Sequence, residues 1–261
     1  MGGEGVGIRF CGVTVRFGAY TAVARVDLEV GPGEFVSLVG PTGCGKSTLL
    51  NMAAGLLPPS EGEVYLGGRP LRELNREAGY LFQQDAIFPW KTAMDNVAFP
   101  LLLRGVPLSE ARARAQAWLE KVGLRGFSHR YPHQLSGGQR KRVGLAQVLI
   151  ANPHLLLMDE PFSALDVQTR QLMENELLEL WQADRKTVLF VTHDPEEAIA
   201  LSDRVVVLSA GPAARPIGDF PIPLPRPRDV AEVRLTPEFL RIHREIWNLL
   251  RGEVMRAHAG A

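Results

Sequence analysis

Four short apolar runs set the architecture that this chain predicts. Phe35-Val36-Ser37-Leu38-Val39, Leu155-Leu156-Leu157-Met158, Val188-Leu189-Phe190-Val191 and the run from Val205 to Leu208 are almost free of polar interruption. Strands covered on both faces in a parallel sheet read this way. Ahead of them, from Ile8 to Val30, β-branched runs (Val13-Thr14-Val15, Val26-Asp27-Leu28-Glu29-Val30) alternate with turn residues, and Glu63-Val64-Tyr65-Leu66 closes on Gly67-Gly68 in the same manner. These are expected to be antiparallel strands. Gly79-Tyr80-Leu81-Phe82 reads as one more short strand, with Gln83 at its end. Between Gln84 and Ala151 the period becomes helical. Ala111, Ala115, Trp118, Leu119 and Val122 share a face behind Ser109 as the expected N-cap, and Ser136 caps a second helix that runs to the Asn152-Pro153 stop. Met173, Leu177, Leu180 and Trp181 form a later stripe best read as core. From Gly211 to Pro227 the composition shifts to Gly and Pro, the mark of a semi-rigid linker. Thr236-Pro237-Glu238 then starts a helix whose apolar face (Phe239, Leu240, Ile242, Ile246, Leu249, Leu250) ends at Arg251, with docking on its own domain as the default. The expected organisation is therefore one domain over 8–210 with a helical insert at about 85–151, a linker over 211–235 and an amphipathic helix over 236–251.

Composition narrows the function classes. With 46% hydrophobic and 22% charged residues in 261, the chain can bury a full core. Lys+Arg and Asp+Glu both number 29, so no bulk positive field draws in nucleic acid. Met1 to Phe10 has neither a basic start nor an apolar stretch, and nowhere do about eighteen apolar residues run together. The expectation is a chain that neither enters nor crosses a membrane. Two cysteines, Cys11 and Cys44, make no disulfide framework, which points to a reducing, cytoplasmic compartment.

The chemistry gathers where the apolar strands end. Gly40-Pro41-Thr42-Gly43-Cys44-Gly45-Lys46-Ser47-Thr48 follows the first run and opens a helix closed by Gly55, fitting the phosphate-loop pattern. Glycines let successive N–H groups face one concavity, Lys46 adds a point charge, Ser47 offers a hydroxyl to Mg²⁺, and the helix aims its positive end at the same phosphates. In that loop, Cys44 is expected to hold a lowered thiol pKa if solvent reaches it. Asp159-Glu160 ends the next run at the carboxyl edge of the sheet, where ligands bind. Asp159 suits Mg²⁺, and Glu160 suits the water that attacks a γ-phosphate. His193 reaches the same edge after the third run, so contact with that phosphate is preferred over a structural role. Gln83 can reach metal or water. Phe17 and Tyr20 fit base stacking and a packed turn equally well. The N-terminus of the helix after Ser136 can hold a phosphate, whereas Arg140, Lys141 and Arg142 read as a solvated face.

Taken in order and spacing, Gly40–Ser47, Gln83, Leu135-Ser136-Gly137-Gly138-Gln139, Leu155–Glu160, Ser163–Asp166 and His193 resemble the ATP-binding-cassette ATPases from about Phe10 to Leu208. The resemblance implies a mixed α/β phosphate-loop ATPase lobe with an antiparallel β region and an inserted helical subdomain. It makes Phe17 the adenine-stacking aromatic, Lys46 the phosphate lysine, Ser47, Gln83 and Asp159 the magnesium ligands, Glu160 the catalytic base and His193 the switch histidine. Ser136, Gly138, Gln139 and Asp166 are then presented to the ATP of an opposite subunit, so two copies, or a paired ATPase subunit, meet head to tail. Phe88-Pro89-Trp90, Met158–Phe162, Asp166–Arg170 and Leu224-Pro225-Arg226-Pro227-Arg228 resemble the importer branch for nitrate, sulfonate, taurine and pyrimidine precursors. That branch implies membrane permease subunits, indirectly a solute-binding protein, and a peripheral position on the cytoplasmic side of the inner membrane. Gln147 departs from the arginine most members carry there. Two other classes remain: a non-transport cassette acting in DNA repair or on ribosomes, and a phosphate-loop small-molecule kinase. The chain has neither the long coiled coils or zinc sites of repair members nor the paired cassettes of the ribosome class, and a kinase would lack the Leu135–Gln139 signature.

Overall fold

A computed structural model describes residues 6–84 and 86–259, the side chains of 257–259 apart. Met1 to Gly5 and Asp85, the expected first residue of the insert, lie outside them. In chain order the elements are β1 (Ile8–Phe17), β2 (Tyr20–Val30), β3 (Phe35–Val39), α1 (Lys46–Ala53), β4 (Glu61–Leu66), β5 (Arg69–Pro70) and β6 (Ala78–Leu81). The insert holds α2 (Ala93–Leu103), α3 (Leu108–Lys121) and α4 (Gly137–Leu149). There follow β7 (Leu155–Asp159), α5 (Val167–Ala183), β8 (Thr187–Val191), α6 (Pro195–Leu201), β9 (Arg204–Leu208), β10 (Pro216–Pro221), α7 (Val230–Val233) and α8 (Pro237–Ala259).

β1, β2, β4 and β5 make an antiparallel sheet in the order β2-β1-β4-β5. The larger sheet runs β10-β9-β3-β8-β7-β6 and is parallel except for β10. Its apolar runs alternate between two cores. Val36, Leu38, Leu155, Leu157, Leu189 and Val191 pack toward α1 and the antiparallel sheet. Phe35, Leu156, Met158, Val188 and Phe190 pack toward α5, α6 and α8. Both faces are covered, which is why these strands carry so few polar residues. The insert has a third core built from Ala98, Leu101, Ala111, Ala115, Leu119, Val143 and Ile150.

Register places the chemistry. Leu38 pairs with Val191, Asp159 with Val191 and Leu81 with Met158, so β3, β6, β7 and β8 release their following residues at one sheet edge.

Four expectations are corrected. The Gly and Pro stretch is no linker. β10 pairs antiparallel with β9, and Ile222, Leu224, Val230 and Val233 are buried in the main core. Prolines are tolerated there because β10 is an edge strand with one side free of ladder bonds. The buried Arg228 guanidinium anchors the segment, donating to the carbonyls of Ser202 (2.7 Å), Leu224 (2.9 Å), Ala200 (3.1 Å), Ile199 and Ile222 (both 3.3 Å). Burial lowers its pKa to about 10. Arg226 pairs with Asp203 at 2.9 Å and lies over the Trp181 ring. Second, α3 starts behind Pro107 with no side-chain cap, which puts Ser109 inside its first turn. Third, Arg140, Lys141 and Arg142 are engaged rather than solvated: they donate to the carbonyls of Leu135, Gln83 and Val122, and Arg142 pairs with Glu176 at 2.8 Å. Fourth, α8 continues past Arg251. Gly252 lies in open space, and Glu253 beyond it is tied to the Ala210 N–H at 2.9 Å.

Candidate functional site

The loop from Gly40 to Gly45 bends under two glycine constraints. Gly43 (φ 78°) and Gly45 (φ 95°) adopt left-handed backbone, and a Cβ on Gly45 would stand 2.5 Å from Val23 Cγ1. α1 begins at Lys46 with no side-chain cap and no acidic residue in its first turn, leaving its positive end for a ligand. Lys46 folds back on the loop, its Nζ donating to the Gly40 carbonyl at 2.8 Å and the Pro41 carbonyl at 3.0 Å.

Cys44 contradicts the expected thiolate. It is fully buried against the core beneath the loop, and burial raises its pKa, with Lys46 acting weakly the other way. Alone among the residues from Thr42 to Thr48, Cys44 does not line the cleft described below.

Asp159, at the end of β7, accepts from Ser47 Oγ at 3.0 Å. Burial pushes its carboxyl up. The Ser47 bond and Lys46 oppose that, and neighbouring Glu160 adds to it. A half-buried carboxylate bonded to the Ser47 hydroxyl, with Ser47 and Gln83 lining one cleft, offers oxygen donors of the kind Mg²⁺ takes, so these residues fit that ion.

Glu160 follows in left-handed backbone (φ 43°), unusual for a residue with a side chain, its N–H bound to the Val191 carbonyl at 2.9 Å. His193, two residues past β8, brings Nδ1 to 3.0 Å from Glu160 Oε2. Such strain is characteristic of functional positions, and here it accompanies a carboxylate and an imidazole within hydrogen-bond distance.

Lys46, Ser47, Glu160 and His193 line one open cleft of about 550 Å³, together with Phe17, Tyr20, Ala22, Thr42, Gly43, Gly45, Thr48 and Gln83. The size suits a nucleotide. Phe17 and Tyr20 are both about half exposed and line this cleft.

Ser136, Gly138, Gln139 and Asp166 do not line this cleft. Ser136 caps α4 reciprocally with Gln139: Gln139 N–H donates to Ser136 Oγ at 3.2 Å, and Ser136 N–H to Gln139 Oε1 at 2.9 Å. Asp166 caps α5, and the Thr169 N–H holds its carboxyl below the usual range. The two helix starts touch, since a Cβ on Gly138 would lie 2.8 Å from Thr169 Cγ2. They form a separate surface, with Ser136 and Gly137 exposed.

Two neighbours of the site escaped sequence reading. Tyr80 of β6 donates to Asn51 Oδ1 at 3.2 Å and is pushed up by burial and by Asp159. Lys141 of α4 reaches the Gln83 carbonyl. Tyr80 lay inside an ordinary strand pattern, and Lys141 inside a basic run; neither spacing carries a signal.

A family model described as ABC transporter matches residues 23–163. The chain is 47% identical over 236 residues to an ABC transporter ATP-binding protein of Methanocaldococcus jannaschii, covering 90% of this chain and 86% of that protein. It is 42% identical to the nitrate import ATP-binding protein NrtD of Synechococcus elongatus (89% and 86% covered). To the taurine import ATP-binding protein TauB of Shigella sonnei it is 46% identical (75% and 77% covered). A dimeric ATP-binding cassette solved in a post-hydrolysis state with ADP and Pi is 34% identical, with a TM-score of 0.73 over 82% of this chain and 98% of that one.

Proposed function

The chain belongs to the ABC transporter family and is an ATP-binding, ATP-hydrolysing subunit; from that premise we propose that it drives solute import as a dimer beneath membrane permease subunits. The observation that carries the hydrolytic half is the Glu160 and His193 pair at 3.0 Å, facing Lys46 and Ser47 across one cleft.

The adenine lies at the Phe17 and Tyr20 end. The N–H groups of Gly43 to Thr48 take the β- and γ-phosphates, and Lys46 exchanges its bonds to the Gly40 and Pro41 carbonyls for phosphate oxygens. Ser47, Gln83 and Asp159 would hold Mg²⁺, which when bound would neutralise charge on the phosphate oxygens. Glu160 orients a water in line with the γ-phosphorus and accepts its proton. His193 steadies the Glu160 carboxylate and reaches the γ-phosphate. Ser136, Gly138, Gln139 and Asp166 of one copy close over the nucleotide of the other, since they stand on a surface outside their own cleft.

Among the described residues no helix is long and apolar enough to cross a membrane. On the proposed reading the solute path belongs to a permease, with this subunit peripheral on its cytoplasmic side and a solute-binding protein upstream. Similarity to NrtD and TauB supports a small nitrate-like or sulfonate-like solute.

Glu160→Gln keeps the shape of the side chain while removing the base. It is expected to bind ATP at parental affinity, accumulate an ATP-bound dimer by size exclusion, and lose about two orders of magnitude or more in turnover. Hydrolysis at the parental rate would overturn the assignment of Glu160.

A further inference from the structure

α4 carries two things at once. Its N-terminus is the Ser136–Gln139 cap, and one turn further in, Lys141 crosses to the loop after β6, where its Nζ donates to the Gln83 carbonyl at 2.5 Å. Lys141 is only 7% exposed, although a lysine at a helix surface normally keeps its amine in water. The same helix is seated hard on β6. A Cβ on Gly79 would come within 2.6 Å of Val148 Cγ1, and one on Gly144 would rest 3.6 Å from Leu81 Cδ1. α4 is thus a stiff rod with the exposed signature at one end and β6 along its side, and Lys141 grips the loop that brings Gln83 to the cleft.

We propose that Lys141 is a positioning residue for ATP hydrolysis, holding the Gln83 loop to α4 so that the reach of the Gln83 amide into the cleft follows the placement of the signature helix. The proposal rests on the reading above that Gln83 works at the nucleotide. Lys141 touches neither the cleft nor the reacting atoms; it acts through the backbone of Gln83. When a second copy engages Ser136 and Gly138, any shift of α4 is passed to Gln83 directly, across a link that spans 58 residues of sequence.

The test is a double-mutant cycle on the purified full chain, with Lys141→Met, Gln83→Ala, the pair together, and Lys141→Arg as conservative rescue. Readouts are ATP affinity, kcat and the Mg²⁺ concentration at half-maximal rate. Lys141→Met is expected to lower kcat about tenfold, raise the Mg²⁺ requirement severalfold and leave ATP affinity within about twofold. Lys141→Arg should restore most of the rate. In the Gln83→Ala background, Lys141→Met should change kcat by less than about twofold, because residues acting as one unit are not additive. Should Lys141→Met not fold, Lys141→Gln, a shorter neutral side chain, goes through the same cycle. Full additivity, or parental kcat and Mg²⁺ dependence in Lys141→Met, would overturn the proposal. Parental turnover in Gln83→Ala would instead sink the reading of Gln83 itself, so the two failures are separable.

Discussion

Cys44 shows how a single side chain can share a loop with catalytic residues and still stand outside the chemistry. A helix N-terminus and Lys46 both favour a thiolate, but the sulfur faces the core beneath the loop, and burial wins. Thiolate fraction and access together set reactivity, so both act against it. In the native chain, maleimide is expected to label the half-buried Cys11 at least about tenfold faster than Cys44, and MgATP should leave the Cys44 rate unchanged. Urea should bring the two rates together. Fast labelling of native Cys44 that ATP blocks, followed by mass spectrometry of the modified peptide, would put the thiol back in the phosphate cavity. Glu160 is the opposite case: its left-handed backbone carries strain, and the side chain so aimed meets His193.

Among elements, β10 and the segment after it differ most from their local pattern. Nothing in a run of Gly and Pro predicts burial, yet Arg228 gathers backbone carbonyls from the end of α6 (Ile199, Ala200, Ser202) and from the segment after β10 (Ile222, Leu224). A guanidinium has five donors in a fixed fork spread over three nitrogens, whereas an ammonium has three donors on one nitrogen and cannot reach all of these carbonyls at once. Removing it strands buried acceptors, each costing about 1–3 kcal/mol. Arg228→Met is expected to lower unfolding free energy by about 3 kcal/mol or more, with Arg228→Lys recovering only part, as read from urea midpoints at unchanged slope. A loss below about 1 kcal/mol would mean that water or neighbouring groups satisfy those carbonyls.

Across the whole molecule, the insert offers an aromatic surface whose residues are not among those lining the cleft. Trp90 is 71% exposed, its ring 5.6 Å from Phe88, which stacks edge-on to Phe99 at 4.7 Å. Exposed aromatics backed by half-buried ones suit the anchoring role that aromatic residues commonly take at a protein interface. Truncating a core tryptophan costs about 3–5 kcal/mol, whereas an exposed one contributes little to its own fold. Trp90→Ala is therefore expected to keep its melting temperature and basal ATPase while losing permease pull-down and solute uptake. A large drop in melting temperature, or undiminished pull-down, would return Trp90 to the insert core.

Much of this protein is decided locally. The phosphate loop, the apolar strands and the carboxylates and histidine at their ends are legible in the sequence. A strand covered on both faces must be apolar along its length, a phosphate cradle must have glycine where φ is positive, and both demands fall on neighbouring residues. The reciprocal cap of Ser136 and Gln139 is local for the same reason, a matter of three residues. What only the tertiary structure decided are contacts between residues far apart. Lys141 meets Gln83 across 58 positions, and Arg228 meets Ile199 across 29. Charged residues in a basic run or a proline-rich stretch look solvent-bound until distant carbonyls are brought beside them. The burial of Cys44 was likewise decided by which way its loop faces the core. Periodicity and spacing report which elements form, but the partner of a buried charge is set by how those elements pack.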